Sequence, residues 1–88
     1  MKVIATFAVG NEPDVLAYDN DLALLYVASE SGIVSLFRVN GHIVKKLGES
    51  FLGPNAHVVA VDAQSHRAYF PLKNLRGHPV LRIIEPKP

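Results

Sequence analysis

Val15-Leu16-Ala17-Tyr18-Asp19, a polar step at Asn20-Asp21, and then Leu24-Leu25-Tyr26-Val27-Ala28-Ser29 decide the fold. Short runs of aliphatic and aromatic residues bounded by Asp, Asn, Ser and Gly have the punctuation of antiparallel strands, not of helices. Leu24 to Ala28 is apolar at consecutive positions, so both faces of that strand are expected to be covered. The same stretch returns 43 residues later: Val15 recurs as Val58, Ala17 as Ala60, Asp19 as Asp62 and Tyr26 as Tyr69. Outside it, Lys2 recurs as Lys45 and Gly10 as Gly53 at the same offset.

A period of roughly 40–50 residues holding about four short strands is the signature of β-propeller blades. Such a unit cannot bury both of its faces alone and needs neighbours. Eight strands are expected, over about 2–8, 14–18, 24–29, 33–39, 42–47, 57–61, 67–72 and 80–85. Asn40-Gly41 predicts a type I′ hairpin. The units differ in one connection: Ser29 to Gly32 in the first, and the longer Leu72 to Pro79 in the second. Beyond it, Ile33-Val34 matches Val80-Leu81 and Leu36-Phe37 matches Ile83-Ile84. Because residues 2–8 match 45–51, the frame is staggered. The fold class read from the sequence is all-β, a meander of two four-stranded blades in the strand order D-ABCD-ABC, with repeats over about 2–44 and 45–88.

Val15 to Asp19, Leu25 to Ser29 and Gly32-Ile33-Val34-Ser35-Leu36-Phe37 together resemble the YVTN-type repeat of YncE-like β-propellers. So do His57 to Asp62, Arg67 to Leu72 and Val80 to Ile84, although Phe70-Pro71-Leu72 departs from the pattern. The resemblance covers nearly the whole chain and implies two blades of the C-terminal part of a longer propeller. It also implies a channel mouth at the start of each innermost strand, and relatives that are often exported.

Composition narrows the classes of function. Of the 88 residues, 49% are hydrophobic, much for so small a volume, so a surface meant to be covered is expected. The net charge of +1 gives no field for nucleic acid or an anionic membrane. The charge is split, however: residues 1–44 hold two Lys/Arg against five Asp/Glu (2 − 5 = −3), and residues 45–88 hold seven against three (7 − 3 = +4). There is no cysteine, which removes disulfides and thiolate chemistry. Met1 to Gly10 reads as a strand, not a signal peptide. No apolar run approaches the ~20 residues of a membrane span.

Candidate chemistry is thin. No nucleophile elbow, P-loop, dinucleotide fingerprint or His-Glu-x-x-His is present, and no cofactor is expected. Asn55 and His57, with Asp14 as the counterpart of His57 in the first unit, are the candidate ligand-binding residues. They would lie at the channel mouth and take a small polar molecule or a metal. His42, His66 and His78 read as exposed turn residues. Asp19 and Asp62 read as turn caps acting on their own backbone, and Tyr26 and Tyr69 as packing residues. The expected function is a binding or scaffold module. Its partners would be other copies of itself, joined head to tail, or the rest of a larger propeller. A lactonase-like, metal-assisted hydrolase is the alternative.

Overall fold

The computed structural model describes residues 2–53, 59–75 and 77–86. Every regular element among them is a strand. The strands are β1 (Pro13–Asp19), β2 (Leu24–Ser29), β3 (Ile33–Asn40), β4 (Ile43–Phe51), β5 (Ala60–Val61), β6 (Ala68–Leu75) and β7 (His78–Ile84). They form two antiparallel meanders, a four-stranded sheet β1-β2-β3-β4 and a three-stranded sheet β5-β6-β7. The all-β antiparallel class expected from the run lengths is therefore the fold.

Alternation sorts the side chains of each sheet. In the first sheet, Ala17 pairs with Tyr26 and Tyr26 with Leu36, while Val15 pairs with Ala28 and Ala28 with Val34. These residues share one face, and that face packs on Ala68, Phe70 and Leu72 of β6, with Ile84 beside them. Tyr26 meets Phe70 edge-on, with ring centroids 6.2 Å apart at 65°, a favoured arrangement for two aromatic rings. The opposite face of the first sheet is partly covered by the N-terminal segment. Phe7 lies 5.1 Å from Phe37, and the Ser29 hydroxyl donates to the Gly10 carbonyl at 3.3 Å. Covered on both sides, β2 is buried at every position except Leu25, as its unbroken apolar run requires.

The connections follow from residue chemistry. Asn40 pairs with Ile43, so the loop is Gly41-His42, and of these two only Gly41 has positive φ, at 61°. That is the pattern of a type II′ turn with glycine first, instead of the expected type I′ at Asn40-Gly41. Gly32 has φ 95°, and a Cβ there would collide with the Gly53 carbonyl. No other residue type fits.

Three expectations are corrected. Residues 2–8 form no ladder, although β4 and its match in sequence make them a natural strand; no described strand lies beside them to pair with. The anticipated long loop between 72 and 79 is mostly strand, because β6 runs on to Leu75 and β7 starts at His78, with an irregularity between Leu72 and Leu75. β4 continues to Phe51, four residues beyond its expected end, across a bulge opposite Leu36 and Phe37.

The two sheets face the same way. Tyr26 and its repeat mate Tyr69 lie on corresponding faces, but Tyr26 is 2% exposed under the second sheet whereas the face of Tyr69 looks away from the first. On that outward face Tyr69 pairs with Ile83 and Pro71 with Leu81. Leu81 and Ile83 are 56% and 54% exposed, although their mates Val34 and Leu36 sit in the core.

Candidate functional site

Asp14 is the one expected site residue within the described part of the chain. It is exposed, at the register shift between Pro13 and Val15. That is a β-bulge position, which turns a side chain away from the regular pleat. Asn55 and His57 lie outside the described residues, so no geometry joins Asp14 to them. Among the described residues no group of three or more His, Cys, Asp or Glu converges as a metal site. No helix of the described chain is long and apolar enough to cross a membrane.

Polar order concentrates instead where the two units meet. The Asp19 carboxylate accepts from the Asp21 and Leu22 amides at 3.1 and 3.2 Å, closing the turn after β1. Its other oxygen lies 2.8 Å from His66 Nδ1, a residue of the second unit. Asp19 is 2% exposed and the His66 side chain 29%, so this contact is a part-buried clasp between repeats. Burial pushes its carboxyl upward. The His66 hydrogen bond, the Leu22 amide, the imidazole's charge and the Asp21 amide outweigh that and hold it below the ordinary carboxylate value.

Asp62, the repeat mate of Asp19, keeps the turn function. It accepts from Gln64 N at 3.3 Å and from the Ser65 hydroxyl at 2.7 Å. The Ser65 hydroxyl and the Gln64 amide lead in lowering its carboxyl, although it stays exposed. Sequence reading found both caps. His66, expected as an exposed turn residue, instead reaches across 47 positions and breaks the repeat: position 23 of the first unit is alanine. The signal was there in principle, as the second turn carries a side chain able to reach where the first does not.

The Tyr26 hydroxyl is buried with no hydrogen-bond partner among the described residues. Burial, and after it the Asp19 charge, raises its pKa. An orphaned hydroxyl costs about 1–3 kcal/mol, so Tyr26→Phe is expected to raise stability by about 1 kcal/mol. Urea unfolding checks this; a destabilised Tyr26→Phe would show that the hydroxyl is satisfied.

One concave feature is a cleft of about 260 Å³ between the sheets. Leu36, Leu47, Glu49 and Ser50 of the first sheet form one wall, and Ile84 with Pro86 the other. It opens beside β7, the edge strand of the three-stranded sheet. Among the described residues the surface thus offers an apolar sheet face, an unpaired strand edge and a cleft alongside it. Such a surface docks sheets and extended chain. Compared with known protein families, curated proteins and solved structures, the chain matches none.

Proposed function

We propose that this chain is a blade-type repeat module of the β-propeller kind that acts as a binding scaffold, and that the partner it binds is another copy of itself, stacked head to tail. The observation that carries this reading is the shared orientation of the sheets. The outward face of the second sheet (Tyr69, Pro71, Leu81, Ile83) repeats the face that the first sheet buries (Tyr26, Ala28, Val34, Leu36). The opposite face of the first sheet carries Leu16 and Tyr18, 63% and 45% exposed. They are the mates of Val59 and Val61, which pack in the core. One copy therefore offers the second half of a contact whose first half another copy offers, and the two halves already fit each other inside the chain.

Charge supports the same pairing. The contact brings the basic half of one copy to the acidic half of the next, +4 against −3, which favours that orientation over like-on-like encounters. Light scattering is expected to give a mass of at least twice 9.6 kDa. Leu81→Glu with Ile83→Glu sets carboxylates against the acidic half and is expected to yield a folded monomer. A wild type that stays monomeric at high concentration would sink the reading.

A further inference from the structure

We infer that residues 2–8 of one copy add to the free edge of β7 in a second copy as the fourth strand of its three-stranded sheet. This rests on the head-to-tail reading and goes further, naming the segment exchanged and its register.

Five observations lead to it. The first sheet has four strands and the second three, and the strand without a counterpart beside β7 is the equivalent of β4. Residues 2–8 are the sequence match of 45–51 within β4. They lie exposed and outside any ladder, with Val3 74% and Ile4 61% exposed. The cleft beside β7 is lined by residues of the first sheet that a strand on that edge would cover, Leu36, Leu47 and Ser50 among them.

The position of the segment in its own chain is the fifth observation. Ser50 of β4 and Ile84 of β7 border the same cleft. Their repeat mates are Phe7 and Phe37, which touch at 5.1 Å. Residues 7–10 therefore already cross the outer face of the first sheet in the way β4 lies toward the second sheet. Lys46 Nζ fixes them by donating to the Ala8 carbonyl at 3.0 Å. A neighbour's second sheet, stacked on that outer face, would find the strand waiting at its edge.

Transferring the register makes the contact specific. β3 pairs Ser35 with Glu49, Val34 with Ser50 and Leu36 with Gly48. The corresponding pairs are Arg82 with Thr6, Leu81 with Phe7 and Ile83 with Ala5. In this register the segment places alternate side chains over the cleft and supplies amides and carbonyls to an edge that otherwise presents them to water.

The chain has no cysteine, so the test is clean. Thr6→Cys chains are mixed with Arg82→Cys chains and oxidised with copper phenanthroline. Both positions are exposed, and folding is expected to be unaffected. The expected result is a disulfide-linked pair containing one chain of each kind, lost when Ala5→Pro is added to the Thr6→Cys chain, because proline removes a ladder donor. An assembly seen by light scattering that gives no such cross-link overturns strand donation and leaves the stacking intact. A folded monomer overturns both. A cross-link confined within single chains that carry both cysteines shows the segment folding back on its own β7 and also overturns the inference.

Discussion

Phe70→Ala is expected to remove most of the stability of the isolated chain. The ring is 0% exposed and sits between Tyr26 of the first sheet and Ala68 and Leu72 of its own strand. Truncating a buried phenylalanine costs about 3–5 kcal/mol, part lost transfer energy and part cavity. A domain of this size holds only about 4–13 kcal/mol in total, at ~0.05–0.15 kcal/mol per residue. Phe70 is also a principal contact between the sheets, so its loss leaves each sheet with an uncovered face. Urea unfolding followed by far-ultraviolet circular dichroism reads the effect as a large fall in midpoint, or as no folded baseline. Ile83→Ala is the contrast. Ile83 is the repeat mate of the core residue Leu36 but is 54% exposed, so its truncation is expected to cost under about 1 kcal/mol in the monomer. Its cost should appear in association instead. A Phe70→Ala shift as small as that of Ile83→Ala would mean that the sheets do not depend on each other.

Asp19→Ala is the second large effect. It strips the acceptor from the Asp21 and Leu22 amides and from His66 in one step. Losing three hydrogen bonds to one buried carboxylate costs about 2–4 kcal/mol. Asp62→Ala is expected to cost much less, because its turn is exposed and no residue of the other unit reaches it among its described contacts. The acid dependence follows in sign. Asp19 is held below its ordinary value of 3.8, so the unfolded chain binds its proton more readily than the folded one does. Its contribution to stability is full above that value and is lost as pH falls through the depressed folded pKa. Stability measured from neutral pH down to strong acid should fall with protonation, and Asp19→Asn should flatten the low-pH part of that curve. An unchanged curve would remove the clasp from the account.

Much of the architecture was legible because it is local. Leu24 to Ala28 could be read as a doubly covered strand from its unbroken apolar run, and β2 is covered on both sides. Asp19 and Asp62 could be read as caps because an Asx turn involves only neighbouring residues. What escaped was set by distance or by pairing. Residues 2–8 have strand composition but no described partner strand, and a strand exists only as half of a ladder. The hairpin at Gly41 slid by one residue because Asn40 found a partner in Ile43. Asp14 was picked out as a position and proved to be a bulge, which alternation cannot reveal. His66 gave no local sign, since its role is fixed by a carboxylate 47 residues away.

The two units differ in what their turns carry on one shared backbone shape. Ala23 and His66 occupy the same place in their repeats and share a left-handed backbone, with φ of 56° and 63°. That conformation disfavours any side chain with a Cβ by about 1–2 kcal/mol, yet neither position is glycine. The two turns thus share one backbone shape while carrying unrelated side chains. In the second unit an imidazole stands at that place and grips the first. In the first unit a methyl group stands at that place. The two halves are thus not interchangeable, and exchanging their order along the chain would separate the histidine from its carboxylate.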